Sequence, residues 1–513
     1  MSKNPGLVCL SAAMVLALSS FGCGYKSSSS AESALREGIG VSATTNPLVA
    51  QYAIPHAYPG LSAWVEFGTD TSYGRQTSLV TNSTSTASRL NILVAGMLPQ
   101  TTYHMRAHAL WADRELIDQD HTFTTGALPN SPALPQMSTR VIGTDTVTGA
   151  DNASVTPAPG IELLSLIGPF AAAMATDLKG NIIWLCPGPA IPVKLMDTGD
   201  FVILRNTDLL EVDLACNTVR DVSLSQVNQS LQAGGHSYNL LNFSHDILTL
   251  PNGHWVTIIQ ISQDFIDLPG YPGITSVLGD LLVDIDPNGN VVWSWSAFDH
   301  LDITRYPYFG LPDWTHSNAL VFTADNNLLL SMRAQSWVIK IDYANGQGSG
   351  NVLWRLGDEG DFTLLGADPS QWFYGQHYPD ILTTSGSQTT LAIYDDGNYR
   401  IDPSTGLYCG SAGAAACYTR ATIFQIDESA NVATLLWQDL PGYFSFWGGS
   451  IDPLSNGNIE FDSSAPSNSV GSQITEVTET DPPQGVWQMN ITGANAYRGY
   501  RIPSLYPGVT WQK

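Results

Sequence analysis

The chain has 513 residues, long for one ordinary domain, and carries 46 acidic against 21 basic side chains for a formal charge of −25. Such a surface repels nucleic acid and anionic membrane, so the electrostatic footprint of a DNA or RNA binder is absent. Only 13% of residues are charged while Gly (46) and Trp (14) are plentiful, a profile that suits an all-β protein with many turns.

At the N-terminus, "MSKNPGLVCLSAAMVLALSSFGCGYKSSSS" places one Lys before an apolar stretch from Leu7 to Leu18 that ends in small residues. This is a secretory signal pattern, too short for a membrane span. Cys23, after Phe21-Gly22 and before a Ser-rich run, resembles the lipobox of a bacterial lipoprotein, with Ser20 and Phe21 departing from that motif. Residues 1–23 are expected as the signal, with lipidation or simple cleavage as its two outcomes, and 24–45 as a tether. The protein is thus expected in the periplasm or cell envelope, touching membrane only through such a lipid. Four cysteines remain beyond Cys9 and Cys23. In an exported chain Cys409 and Cys417, close together in a Gly/Ala-rich loop, are the first candidate pair and Cys186 with Cys216 the second. Buried free thiols are the alternative, and no CxxC spacing points to metal.

Residues 46–127 alternate apolar and polar with short turns, as in "AWVEFGTDTSYG" and "RLNILVAGMLPQTTYHMRAHAL". Tyr103 after "LPQTT", followed by Arg106 and Ala109, resembles the fibronectin type III strand with its tyrosine corner. The segment is therefore expected to be a small fibronectin III-like β-sandwich. The Pro-rich "GALPNSPALP" then reads as a linker. From residue 128 to 513 the chain repeats itself. An Asp, a turn and an apolar or Trp-ended strand recur six times, from "ATDLKGNIIWL" through "LVDIDPNGNVVWSW" to "TEVTETDPPQGVWQM". Hairpin-like stretches such as "HDILTLPNGHWVTIIQ" lie between the copies. Units of about 60–70 residues built from short strands fit a six-bladed β-propeller, whose radial closure leaves no long open edge.

The repeats give three histidines a common place. His245 stands eight residues before Gly253, His316 ten before Asn326, and His377 nine before Gly386, each ahead of a hairpin turn. In a propeller such positions ring one mouth of the central channel, so the three are expected to converge. Arg333, one hairpin beyond His316, is expected beside them. A lone His at a turn is usually just a satisfied polar residue, and a repeated one can be inherited consensus. Against this, His is rare here and other repeat positions have drifted. Three imidazoles can hold zinc, but a guanidinium among them repels the metal. Arg is better suited to gripping a sulfuryl or phosphoryl group, with neutral His as nucleophile and proton carrier. No nucleotide fingerprint or GxSxG elbow occurs.

The ordered set "SHDILTLPNGHWV", "DWTHSNALVF", "LLLSMRAQSWVIKIDY", "GQHYPDIL", "YDDGNYR" and "YRGYRIPSLYP" resembles the bacterial aryl sulfate sulfotransferase (arylsulfotransferase, ASST) family across nearly all of the mature chain. The resemblance implies an exported enzyme with a β-sandwich before a six-bladed propeller. It implies sulfuryl transfer from a phenolic sulfate ester to a phenol by a ping-pong route, with no nucleotide donor, cofactor or metal. By motif, His377 matches the histidine that becomes sulfated, His316 and Arg333 the sulfuryl-holding residues, and His245 the remaining active-site histidine. Asn318 matches a polar, substrate-binding position. Small-molecule donor and acceptor are then the partners, and family members can form homodimers. Trp314, Tyr378 and Trp447 suit either aryl stacking or packing. Ala334 after the arginine, and Tyr378-Pro379 after the proposed nucleophile, depart from the family pattern. A non-catalytic propeller that binds a ligand or partner through its channel is the competing reading. A metal-assisted hydrolase ranks below both.

Overall fold

Alternation of buried and half-buried residues makes Ser62–Gly68 and Thr102–Trp111 antiparallel partners, each with one face for the core. In the computed structural model, which describes residues 35–111, 114–130, 133–142, 156–366, 372–467 and 469–511, these strands centre one sheet of an N-terminal region. A second sheet holds Gly40–Ala43, Ala50–Ala57 and Ser88–Val94. Tyr52, Ile92 and Val94 of the latter share one core with Val65, Phe67 and Met105 of the former. The Tyr103 hydroxyl accepts the Leu98 amide at 3.0 Å, the bond a tyrosine corner requires. The expected signal and Cys23 lie outside the described residues. The stretch expected as tether already contains structure, because Gly40–Ala43 takes the free edge of Ala50–Ala57 and Leu35 is buried.

The described residues from 136 to 502 carry six sheets of four or five strands. All pairs in them are antiparallel except Thr363–Leu364 beside Val432–Asp439. The six Asp-turn motifs each form the hairpin between the third and fourth strands of a sheet. The turns close because a side-chain oxygen replaces missing partners for backbone amides: Asp177 Oδ1 accepts from Lys179 and Asn181, Asp286 Oδ1 from Asn288 and Asn290, and in the last motif Thr478 Oγ1 from Gln484. The stretches between the motifs supply the first and second strands. This is an all-β, propeller-like arrangement.

Both ends of this region are pinned. The last strand, Asn495–Ile502, pairs with Ile161–Ile167, so one sheet is made from the two ends of the region. Gln136–Val141 adds to the edge of Gly485–Thr492. Beyond the last strand the chain returns to the N-terminal sheets, where the Ala95 amide donates to the Tyr506 hydroxyl (2.7 Å) and Trp511 Nε1 donates to Gln76 O (3.0 Å). Inside, Asn239–Thr249, Ser317–Phe322, His377–Ser385, Ser450–Pro453 and Asn495–Ile502 lie side by side in succession. These strands deliver the candidate site. The longest described helix, Leu224–Ala233, has ten residues, and none of the described helices is long and apolar enough to cross a membrane.

Cys409 and Cys417 are joined by a disulfide. Cys186 and Cys216, expected as the other pair, are free thiols. Cys216 sits in a left-handed turn (φ 65°), where its sulfur donates to Leu185 O at 3.7 Å and accepts from Asn46 Nδ2 at 3.5 Å.

Tyr103→Phe leaves the Leu98 amide without its acceptor. The expected cost is about 1–3 kcal/mol, seen as a lower urea midpoint at unchanged m-value.

Candidate active site

Left-handed backbone is rare for residues with a side chain, yet His245 and His316 both adopt it (φ 58° and 45°). Beside each, strand pairing slips, between Ser244 and Ile247 and between Ser317 and Ala319. Such an irregularity re-aims a side chain out of the ladder. In the next sheet the left-handed residue is Tyr378 (φ 46°) and the slip runs from His377 to Asp380. The repeat phase is therefore kept by the backbone kink, and His377 stands one residue before it. The hairpin beyond it is also tighter, closing Ser385 onto Gln388 where the other two sheets close Thr249 onto Trp255 and Phe322 onto Leu328.

The offset does not prevent convergence. The His245 and His316 ring centroids are 4.8 Å apart. Tyr497 lies 5.9 Å from His245 and 6.1 Å from His377. Arg333 follows strand Leu328–Met332, and its amide donates to the His316 carbonyl at 3.2 Å. Its guanidinium Nη2 donates to Phe446 O (3.0 Å) and Asn398 Oδ1 (3.3 Å), and its Nε has no hydrogen-bond partner among the described residues. Asn318 is placed differently. It is fully buried, its amide donates to Gln376 O at 2.7 Å, and its own carbonyl accepts from Arg498 at 2.5 Å. Its side-chain amide thus holds the backbone next to His377. Trp314 is core, 1% exposed with Nε1 on Arg305 O. Tyr378 lies against Arg498, 4.7 Å from ring centroid to guanidinium carbon.

The His377 tautomer follows from its two contacts. Nε2 accepts the Gly448 amide at 3.3 Å, so that nitrogen carries a lone pair. The single proton of neutral imidazole then sits on Nδ1 and is donated to Asp396 Oδ2 at 2.5 Å. Burial first, then the positive charge of Arg333, pushes the His377 pKa well below the ordinary histidine value. His245 is lowered likewise, by burial and then by His316, and its Nδ1 lies 2.5 Å from Ser244 Oγ. His316 Nδ1 is 2.5 Å from Asp313 Oδ2. Burial drives Asp396 well above the usual carboxylate range, against the pull of Arg333. Among the described residues no group of three or more His, Cys, Asp or Glu is arranged to hold a metal ion.

Several of these groups were not singled out from sequence. Asp396 and Asn398 stand in "YDDGNYR" and Tyr497 with Arg498 in "YRGYRIP", where only their partners reveal their place. Gly448 offers its amide from φ 70°, and a Cβ there would lie 2.2 Å from Ser464 Oγ, so the position is closed to side chains.

The arylsulfotransferase (ASST) family model matches residues 164–501, which include all of these groups. The chain belongs to the arylsulfotransferase family. No curated protein sequence matches it. Among solved structures, this arylsulfotransferase-family chain is similar to a protein of unknown function from Bacteroides caccae (11% identity, 66% of this chain and 98% of that one, TM-score 0.40). It is also similar to an inactive virginiamycin B lyase from Staphylococcus aureus with quinupristin (9%, 70% and 99%, TM-score 0.29) and to a Synechocystis apocarotenoid oxygenase (9%, 87% and 79%, TM-score 0.28). Likenesses this slight carry nothing about activity.

In a family member with this site, histidine-selective NMR should show His245 and His377 as neutral imidazoles while pH falls through about 6.5, the ordinary histidine value. His377 should give the Nδ1–H pattern, and Asp396→Asn should disturb it. Protonation of His377 near 6.5 would contradict the environment described.

Proposed function

We propose that this protein is an exported aryl sulfate sulfotransferase that moves a sulfuryl group from a phenolic sulfate ester to a phenol through a sulfohistidine at His377. The observation that carries the reading is the His377 Nε2 lone pair, unprotonated and backed by the buried carboxyl group of Asp396, at a site where Arg333, His316 and His245 converge.

In the first half-reaction Nε2 attacks sulfur, an N–S bond forms, and the bond from sulfur to the aryl oxygen breaks as phenolate leaves. The ring is then cationic, and Asp396 faces that charge across the Nδ1–H bond. Arg333 and His316 stabilise charge on the sulfuryl oxygens, and the Gly448 amide, released from Nε2, is a further donor there. In the second half-reaction an acceptor phenol attacks sulfur, the N–S bond breaks, and the phenolic proton passes to neutral His245. No nucleotide or metal takes part in this scheme.

The same reading includes a six-bladed propeller behind a fibronectin III-like sandwich. It also includes delivery to the periplasm or envelope by residues 1–23, with Cys23 as the lipidation position, and small phenolic molecules as the partners. Association into a homodimer belongs to it as a family trait.

With 4-nitrophenyl sulfate as donor and no added cofactor, nitrophenol release should depend on added phenol and vanish in His377→Asn. Arg333→Lys keeps the charge but loses the planar fork, and should lower the rate by ~10²–10³. Activity surviving in His377→Asn would move the nucleophile elsewhere. A folded but inactive wild type, across several donors and acceptors, would favour a ligand-binding propeller.

A further inference from the structure

A cavity of about 390 Å³ opens beside Arg333, and half of its lining residues are aromatic. Tyr308 and Phe309 come from the segment leading to His316, and Tyr399 and Tyr408 from the segment after Asp396. The Phe309 and Tyr399 rings are 4.8 Å apart at 32°, and Tyr308 lies 6.1 Å from Tyr399 at 16° and 5.4 Å from Tyr408. Phe446 adds a face whose ring centroid is 5.8 Å from the Arg333 guanidinium carbon. Tyr399 is 9% exposed and held at φ 67°, a conformation costly for a bulky residue and kept only where its surroundings impose it. Phe309 and Tyr408 are 44% and 40% exposed, so their rings are not buried as core. Only two charged side chains line the cavity: Arg333, which is 6% exposed with an unpartnered Nε among the described residues, and Asp313.

This wall recognises a flat ring. Aromatic faces gain from stacking and edge contacts that an alkyl chain of equal area does not supply. The volume lies near the small end of ligand pockets, enough for a phenol of one or two rings. An oxygen directed inward meets Arg333. A ring substituent meets Asp313, because Arg333 is already engaged by the sulfuryl group.

We infer that this cavity is the aryl subsite of the proposed reaction and that it selects by charge, accepting neutral or cationic phenols and disfavouring those that carry a carboxylate. The inference rests on the proposed sulfuryl transfer. Phe309 and Tyr408 stack on the ring, and Asp313 repels an anionic substituent over a distance at which unit charges still matter.

The test compares phenol, tyramine and 4-hydroxyphenylpropionate as acceptors from 4-nitrophenyl sulfate. Wild type should favour tyramine over the carboxylate by on the order of tenfold in kcat/KM. Asp313→Asn also touches His316 and so lowers all rates, but it should shrink that ratio several-fold. Phe309→Leu and Tyr408→Leu, at half-exposed positions, should raise the phenol KM about 3- to 10-fold at little change in kcat. A wild type that transfers sulfuryl groups with a charge ratio near one, or an unchanged KM in both leucine variants, overturns the subsite and leaves the proposed function standing. If wild type transfers nothing, the proposed function fails instead. Calorimetric binding of phenol and tyramine then decides: weakening in Phe309→Leu keeps the cavity as an aryl site, and no binding removes it.

Discussion

Asp246 is the fixed point of the interior. Its Oδ1 lies 2.6 Å from Lys194 Nζ and 3.2 Å from Arg498 Nη1, and its Oδ2 accepts the Leu320 amide at 2.9 Å. Those four residues belong to four different sheets. Burial works to raise its pKa, but Arg498 and Lys194 outweigh it and hold the carboxylate ionised. The network then continues outward. Arg498 donates to Asn318 O, Asn318 donates to Gln376 O, and the residue after Gln376 is His377. In the remaining sheet Ser450 Oγ donates to Gly499 O at 2.7 Å. Buried ions of this kind add little net stability when paired but cost about 3–5 kcal/mol when one partner is lost. Such a hub therefore acts chiefly to specify one arrangement of the strand starts.

The same interior charges set the chemistry. Arg333 and Arg498 are fixed cations close to buried imidazoles, and each makes a second positive charge unfavourable. Burial first, and then these charges, keep His377 and His245 neutral, the state in which a histidine can attack or take a proton. Asp396 does not cancel this effect, since its role is directional: by taking the Nδ1 proton it leaves Nε2 as the free lone pair. A carboxylate exposed to water would be a weaker acceptor partner, and burial at 0% exposure removes that competition.

Much of this was legible in the chain, for local reasons. The Asp-turn repeats could be read because each turn is closed by its own side chain, as at Asp177 and Asp286. The histidines could be found because a rare residue recurred ahead of equivalent turns. Arg333 followed from being one hairpin away. What escaped depended on contacts between distant segments. Asp396 is 19 residues from His377 and Gly448 is 71, and neither spacing follows a repeat. Asn318, expected as a substrate-binding position, has its side-chain amide committed to the carbonyl of Gln376. The one-residue offset of His377 from the left-handed Tyr378 is a backbone feature that leaves the hydrophobic pattern unchanged, so the sequence does not display it. Gly40–Ala43 was read as tether because four residues give too short an alternation to stand out from a polar run.

The two ends of the site are built by different means. The histidines proposed to handle the sulfuryl group stand in or directly before inner strands, and the backbone beside His377 is tied through Asn318 and Arg498 to the Asp246 hub. The rings around the cavity come from connecting segments at 308–309, 399–408 and 446, tied to the scaffold at fewer points. The Cys409–Cys417 bond and the hydrogen bond from the Tyr399 amide to Cys409 O brace one of these segments against itself. A substitution at Phe309 or Tyr408 falls in a connecting segment rather than on an inner strand, whereas the stretches at 398 and 446 also hold the Arg333 guanidinium, through Asn398 Oδ1 and Phe446 O. Such a division lets one transfer chemistry be kept while the range of phenols changes, and Tyr378-Pro379 beside His377 lies on the constrained side of that boundary.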